Sequence, residues 1–129
     1  MDLIYKGLHR SEFARLELCD RETEDFPTIS SNMTNEELRA VFGERGIVVA
    51  PQNDVDVDIE VYEGSQTPSE TTFVKSGQIT IGNRGIAIGN APDYDEVPWP
   101  AGTTQVSVYM DNVLFGWARK VVFTLEHQD

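Results

Sequence analysis

The segment DVDVDIEVYEG, residues 54–64, alternates acidic and aliphatic residues without a break. Asp54, Asp56, Asp58 and Glu60 take every second position, with Val55, Val57, Ile59 and Val61 between them. A period of two is typical of a strand that buries one face and exposes the other. The segment therefore predicts an amphipathic strand over Val55 to Tyr62 with a row of carboxylates on its outer face.

Similar alternating runs occur along most of the chain. They predict further strands at residues 13–20, 47–50, 72–75, 78–81, 85–88, 105–110 and 118–126. The turn GNRG, residues 82–85, lies between two of these runs and tolerates positive φ angles, which predicts a β-hairpin over residues 79–88. Pro98 and Pro100 interrupt the pattern because proline cannot donate to a sheet. Together the runs predict a mainly β fold, an antiparallel two-layer β-sandwich with one short helix.

The helix prediction comes from a short polar segment followed by apolar residues. Thr34 and Glu37 have the spacing of a capping box, in which each side chain satisfies a backbone N–H at the helix start. Apolar residues then recur at helical spacing, at Leu38, Val41 and Phe42. Gly43 follows and is suited to a C-terminal cap, so the pattern predicts a helix of about two turns.

The 129 residues of the chain are the usual size of one domain, and we expect a single β-sandwich domain over residues 1–129.

The charge of the chain is strongly unbalanced. The 22 acidic and 10 basic residues give a net charge of −12. Residues 51–118 hold ten acidic and two basic residues, a net charge of −8. Such a surface repels nucleic acid and anionic membranes and attracts basic proteins.

The sequence also bears on where the protein acts. No apolar run reaches the roughly 18 residues that a membrane span requires, and the N-terminal residues lack the apolar core of a secretory signal. The single cysteine, Cys19, cannot form an internal disulfide. We therefore expect a soluble, cytoplasmic protein in which Cys19 is a small, half-buried side chain.

No catalytic pattern is present in the sequence. His9 and His127 have no neighbouring serine or cysteine pattern from which a nucleophile and a base could be assembled. The GNRG turn lacks the lysine and the following helix of a phosphate loop. The chain is therefore predicted to be non-enzymatic and to need no cofactor. An enzyme would require His9 or His127 to lie in a cleft beside a carboxylate.

The acidic row raises the question of a metal site. An EF-hand needs glycine at the position of Ile59 and glutamate at the position of Ser65. On a flat strand, carboxylates on one face are about 6.6 to 6.8 Å apart, too far to converge on one calcium ion. A curled loop could share calcium with a second acidic cluster, Asp93, Asp95 and Glu96. A calcium-dependent β-sandwich binding module therefore stays open as an alternative.

Three interpretations of the acidic row remain open: a solvated strand face, a charged edge that prevents aggregation, and a face for a basic partner. Aromatic residues beside the acids favour the third, since interfaces combine charges with aromatic anchors. The predicted partner-binding residues are Asp54, Asp56, Asp58, Glu60, Tyr62, Asp93, Tyr94, Asp95, Glu96 and Trp99. Trp99 and Trp117 are also suited to ordinary packing, and Trp117, which precedes a strand, is expected to close the core.

The order of these patterns resembles a known family. The helix EELRAVFG followed by GIVVAP, the alternating VDVDIEVY, the segment QITIGNRGIAIGN and the segment VPWPAGTTQVSVYM together resemble the competence-associated nuclease inhibitor family, also called competence protein J. The resemblance implies a small acidic β-sandwich, an inhibitor or immunity-like protein that occludes the basic surface of a nuclease or toxin. It carries no interface residues over, because no sharp motif marks them, and a homodimer stays open.

Overall fold

The computed structural model of the chain describes residues 2–11, 15–22, 27, 32–64, 66–90, 93–112 and 114–128. Within these residues ten strands and one short helix follow in the order β1 (Asp2–Arg10), β2 (Leu16–Asp20), α1 (Asn35–Leu38), β3 (Ala40–Phe42), β4 (Gly46–Val49), β5 (Asp56–Glu63), β6 (Thr72–Ile81), β7 (Ile86–Asn90), β8 (Asp93–Val97), β9 (Gly102–Met110) and β10 (Lys120–His127). In the same ranges no helix has the length and apolarity needed to cross a membrane.

The strands form two five-stranded sheets that pack face to face. The first sheet has the order β1-β5-β10-β9-β6, and the second has the order β3-β4-β2-β7-β8. The described pairings are antiparallel except that of β5 with β10, which is parallel. The prediction of a mainly antiparallel two-layer β-sandwich with one short helix is confirmed.

The inner faces of the two sheets supply a common apolar core. Val57, Ile59 and Val61 are buried, so β5 has the inner face that the alternation predicts. The core also contains Leu16, Leu18, Ile47, Val49, Ile79, Ile81, Ile86, Ile88, Val106, Val108, Val121, Phe123 and Leu125. Because successive side chains of a strand point to opposite sides, the acids of β5 lie on the outer face of the first sheet.

The predicted β-hairpin at residues 79–88 is wrong. β6 pairs with β9 in the first sheet, whereas β7 pairs with β2 and β8 in the second, so the GNRG turn crosses between the sheets. The turn itself is present, and Gly85 adopts φ 83°, which glycine does at little cost. The local turn residues suit either connection. Burial of Ile79 and Ile86 on the facing sides of opposite sheets selects the crossing.

Buried Asp20 holds this crossing in place. Its carboxylate accepts a hydrogen bond from Gly82 N–H (3.2 Å) and pairs with the Arg45 guanidinium (2.7 Å). The Asp20 N–H donates in turn to the Arg45 carbonyl (2.8 Å). A buried carboxylate requires partners of this kind because its loss of water is costly. The contacts tie the end of β2 to the crossing turn and to the turn between β3 and β4.

The predicted helix is present but half as long as expected. The capping box of Thr34 and Glu37 is confirmed, and α1 then ends at Leu38 with Arg39 as its C-terminal cap. Val41 and Phe42, predicted to be helical, belong to β3 and pair with β4. Gly43 is therefore not a helix cap, and its N–H donates to the Gly46 carbonyl in the next turn (2.8 Å). Pairing with a neighbouring strand overrides a weak helical spacing.

Two further edge strands, β1 and β8, were not predicted. On β1, Tyr5, Gly7 and His9 lie on the half-buried side and Leu8 is exposed, so apolar residues do not mark the inner face. β8 carries the second acidic cluster, where no strand was predicted; it pairs with β7 and leaves its acids exposed at a sheet edge. The predicted strands at 72–75 and 78–81 form the single strand β6, which has a register shift between Phe73 and Lys75.

β2 is more deeply buried than the predicted half-buried strand. Residues 13 and 14 of that prediction lie outside the described residues. Leu16 and Leu18 face the core, and Glu17 and Cys19 on the other side of the strand are buried as well. Burial, and then the nearby carboxylates of Glu17 and Asp20, raise the pKa of Cys19 to about 12. The thiol is therefore protonated at neutral pH and is a poor nucleophile.

Candidate partner-binding surface

The first three acids of the β5 row are accessible to different degrees. Asp54 precedes the strand in a turn with φ 58°, and its N–H donates to the Ser11 carbonyl (2.7 Å). Asp56 begins β5 opposite Arg10 of β1 and is exposed. Asp58 is partly buried and lies in register with Lys120 of β10. Asp54 and Asp56 therefore present carboxylates to solvent where β5 begins.

Glu60, the fourth acid of the row, is buried although it lies on the outer face of the first sheet. Only 7% of the residue is exposed. Its carboxylate accepts a hydrogen bond from the Tyr62 hydroxyl (2.8 Å) and lies 3.4 Å from Lys120 Nζ and 3.7 Å from Lys6 Nζ. Burial opposes its charge, but the Tyr62 bond and the two lysines outweigh burial and lower the pKa of Glu60. Glu60 and Tyr62 thus join β1, β5 and β10 across the outer face.

Tyr94 of the second predicted cluster also makes an internal contact. Its hydroxyl donates to Glu17 Oε2 (2.5 Å), and Arg15 Nε donates to the other oxygen of this buried carboxylate (2.8 Å). Burial first, and then the bond to Glu17, raise the pKa of the Tyr94 hydroxyl well above its usual range. Tyr94 and Glu17 flank Gly89 of β7 from opposite sides. The Tyr94 hydroxyl therefore satisfies the buried carboxylate of β2.

Asp95 joins the edges of the two sheets. The Tyr5 hydroxyl donates to Asp95 Oδ2 (2.5 Å), and His9 Nε2 lies 2.7 Å from that hydroxyl and 3.1 Å from Asp95 Oδ2. The bond from Tyr5 outweighs burial and, with a smaller contribution from His9, lowers the pKa of Asp95. His9 is thus beside a carboxylate, as an enzyme would require, but it is mostly buried and Nε2 already has both partners. The cluster fastens β1 to β8.

The remaining members of the second cluster differ in exposure. Asp93 is exposed at the start of β8, and Glu96 pairs with Arg21. Trp99 is 8% exposed and packs in the core, where its Nε1–H donates to the buried Thr104 hydroxyl (2.8 Å). It therefore offers a partner little surface unless the core opens.

The two acidic segments approach one another at β1, whose edge meets that of β8. Arg10 of β1 stands opposite Asp56, and the neighbouring His9 contacts Asp95. Of the ten predicted partner-binding residues, Asp54, Asp56 and Asp93 have exposed carboxylates that form no ion pair with the described residues, and Asp58 is partly exposed. The others contact residues of the protein itself.

The structure also bears on the calcium alternative. Among the described residues, no group of three or more His, Cys, Asp or Glu side chains is arranged to hold a metal ion. Oδ2 of Asp95 is held by Tyr5 and His9, and the strand geometry of β5 separates its carboxylates. No observation on these residues favours the calcium-dependent module.

Sequence patterns missed a second exposed feature at the end of the sandwich where β5 begins. Trp117, expected to close the core, is 61% exposed, and Leu114 is 62% exposed. Both belong to the connection between β9 and β10. The sequence signal was the run VLFGWA, residues 113–118, between Asn112 and Arg119: a glycine within a short apolar run indicates a turn and not a strand.

No protein-family model matches the sequence, and no curated protein matches it significantly. The fold is similar to the crystal structure of ComJ, inhibitor of the DNA degrading activity of NucA, from Bacillus subtilis. The TM-score is 0.75, the match covers 98% of both chains, and the sequences are 11% identical. The resemblance to the competence protein J family that the sequence patterns indicated is thus confirmed at the level of the fold.

Proposed function

We propose that this chain is a non-enzymatic inhibitor of a DNA-degrading nuclease, which it silences by covering the basic surface that binds DNA. The observation that carries the proposal is the match of its whole fold to ComJ, an inhibitor of such a nuclease. The net charge of −12 supports the same class of partner. A cytoplasmic location accompanies the proposal, because one free buried thiol needs no oxidising compartment.

Electrostatics gives this inhibition a physical mechanism. A nuclease carries positive charge where it neutralises the phosphates of DNA. The exposed carboxylates of Asp54, Asp56 and Asp93 and the partly exposed carboxylate of Asp58 attract such a surface over the Debye length of about 8 Å at physiological salt. Once bound, the inhibitor and DNA exclude one another because they occupy the same basic groups. The inhibitor needs no chemistry of its own.

The test measures degradation of duplex DNA by NucA, and by any nuclease encoded next to this chain's gene, with increasing amounts of the protein. We expect stoichiometric inhibition. The triple variant Asp54→Asn, Asp56→Asn and Asp58→Asn should slow association about tenfold at low salt, since steering of this kind raises association rates by 10 to 1,000-fold. Its melting temperature should stay within a few degrees of the wild type, because these side chains are at least partly exposed.

A matched control separates local from overall charge. The triple variant Glu44→Gln, Glu70→Gln and Glu126→Gln removes the same number of charges from other parts of the surface and should change the association rate much less. If the nucleases degrade DNA equally fast with and without excess protein, the proposed function is wrong. If both triple variants slow association equally, the row on β5 is not the site of contact.

A further inference from the structure

The connection between β9 and β10, here called the Trp117 turn, is described at residues 111–112 and 114–119, and it exposes large apolar side chains. Trp117 and Leu114 each expose more than half of their surface. Scattered apolar residues on a surface are ordinary, but a tryptophan and a leucine three positions apart on one turn form a patch. Leaving this much apolar area in water forgoes the roughly 25 cal/mol per Å² that burial would contribute.

Hydrogen bonds among its described residues position the backbone of Leu114 and Trp117 in the Trp117 turn. Asp111 Oδ1 accepts from the N–H groups of Arg119 (3.0 Å) and Lys120 (3.1 Å), which closes the base of the turn. The Leu114 N–H donates to Asn112 Oδ1 (3.0 Å), and the Trp117 N–H donates to the Leu114 carbonyl (3.2 Å). An ordered apolar group loses less conformational entropy on binding than a mobile one. The turn therefore presents its side chains ready for contact.

A groove lies between the Trp117 turn and α1. It has a volume of about 480 Å³. Its lining residues are Asn35, Glu36, Arg39, Leu114, Phe115 and Trp117. Glu36 is exposed on the rim and pairs with Arg39 at 3.6 Å. The groove is thus apolar on the side of the turn and charged on the side of the helix.

The Trp117 turn is continuous with the acidic end of β5. The Gln52 N–H donates to the Ala118 carbonyl (2.8 Å), and the Asp58 N–H donates to the Arg119 carbonyl (2.9 Å). On the other side of the groove, the Ala50 N–H donates to the Arg39 carbonyl (3.1 Å). Residues 50–58 therefore run alongside the turn, so the apolar patch and the exposed acids share one end of the sandwich.

We infer that Leu114 and Trp117 are the apolar anchor of the inhibitory interface, and that they bind an apolar patch bordered by lysine or arginine on the basic partner. This rests on the proposed function. Charge complementarity identifies the occupant: the exposed carboxylates of Glu36, Asp54, Asp56 and Asp111, on the elements next to the anchor, outnumber the arginines of the same region, Arg10, Arg39 and Arg119. Aromatic anchors within a polar rim are where binding energy concentrates.

Anchor and acids should act on different steps of binding. Charges steer the encounter and so set the association rate, whereas a buried apolar anchor sets how long the complex lasts. Loss of the anchor should therefore appear in the dissociation rate and persist at high salt. Loss of Asp54 and Asp56 should appear in the association rate and fade as salt rises.

The experiment measures binding kinetics with NucA as the immobilised probe. The double variant Leu114→Ala and Trp117→Ala should weaken Kd about thirtyfold or more, mainly through faster dissociation, which is the effect of losing one hot spot. Trp117→Phe should recover part of the loss. The matched control is Leu3→Ala: Leu3 is 51% exposed but lies opposite Tyr62, near the far end of β5, and its loss should leave Kd within about twofold of the wild type.

The outcomes separate this inference from the function on which it rests. If the wild type inhibits NucA and the double variant binds equally well, or if Leu3→Ala is equally harmful, the anchor is refuted and the inhibitor remains. If the wild type inhibits no nuclease tested, both are refuted. Sedimentation of the protein alone tests whether the patch instead binds a second copy of this chain. A dimeric wild type and a monomeric double variant would assign the patch to that second copy.

Discussion

The row on β5 and the segment on β8 have similar sequences, acids with an aromatic residue among them, but the structure uses them differently. β5 lies inside the first sheet between β1 and β10, so its acids line an outer face. β8 is an edge strand whose Tyr94 and Asp95 reach residues of β2 and β1. The β5 row thus keeps Asp54 and Asp56 exposed, whereas most of the β8 segment holds the protein together.

The comparison shows that neighbours decide whether an acid is available to a partner. Glu60 has the same place in the alternation as Asp56, but two lysines on adjacent strands reach it and not Asp56. Tyr62 and Tyr94 likewise both donate to a carboxylate of their own chain. Spacing along the sequence could not distinguish Glu60 from Asp56, because Lys6 and Lys120 lie on other strands, and Tyr94 likewise reaches Glu17 on another strand.

The largest expected effect concerns Trp99, at the end of the β8 segment. Trp99→Ala should lower the free energy of unfolding by about 3–5 kcal/mol, because it removes a large core side chain and orphans the Thr104 hydroxyl. Trp117→Ala is the matched control and should change it by no more than about 0.5 kcal/mol. Urea denaturation measures both. Equal losses would mean that Trp117 is packed and that the two tryptophans do not differ as described.

A smaller effect is expected within the β5 row. Glu60→Gln should lower the free energy of unfolding by about 1–2 kcal/mol, since a buried carboxylate loses its charge toward Lys120 and Lys6 while both lysines can still reach water. Asp56→Asn makes the same kind of change at an exposed site and should cost less than about 0.5 kcal/mol. Chemical denaturation at pH 7 measures the difference. A Glu60 variant as stable as the Asp56 variant would contradict the internal role of Glu60.

A still smaller effect is expected for Asp95, in the change of protein stability with pH. Its pKa is lowered in the folded state, chiefly by the Tyr5 hydroxyl, so its contribution is complete above the unfolded pKa of about 3.9 and is lost as pH falls through the folded pKa. Asp95→Asn should therefore flatten the decline of stability below about pH 4, and Tyr5→Phe should flatten it as well. Solvent screens this partly exposed carboxylate, which keeps the effect modest.

Thermal melts between pH 3 and pH 7 measure that decline. Asp93→Asn is the control on the same strand, because Asp93 is exposed and should leave the profile close to that of the wild type. An unchanged profile for Asp95→Asn would show that the contact between β1 and β8 contributes nothing to stability.

The smallest expected effect is that of calcium. Millimolar calcium should leave the melting midpoint unchanged, because a ligand raises the midpoint only by binding the folded state, and the carboxylates of β5 do not converge. Magnesium at the same concentration controls for ionic strength. A rise with calcium alone that Asp54→Asn abolishes would reverse this expectation and favour the calcium-dependent module.

Local patterns predicted those parts of the fold that depend on neighbours along the chain. The alternation of β5 predicted its inner face, and the capping box predicted the start of α1. The GNRG turn was also predicted, but its crossing between sheets was not, because the same turn residues serve a hairpin. β1 was missed because its half-buried side carries Tyr5, Gly7 and His9 in place of aliphatic residues.

The sequence by itself determined an acidic β-sandwich, because charge is a sum over residues and the period of two is a local property of strands. Only the tertiary structure decided which acids are exposed and which tryptophan is buried. The charge of Glu60 is balanced by Lys6 and Lys120, which lie on strands far away in sequence. Trp117 is exposed because its turn closes on Asp111 and not on the core. Burial and pairing depend on which strands become neighbours, and that is settled when the two sheets pack.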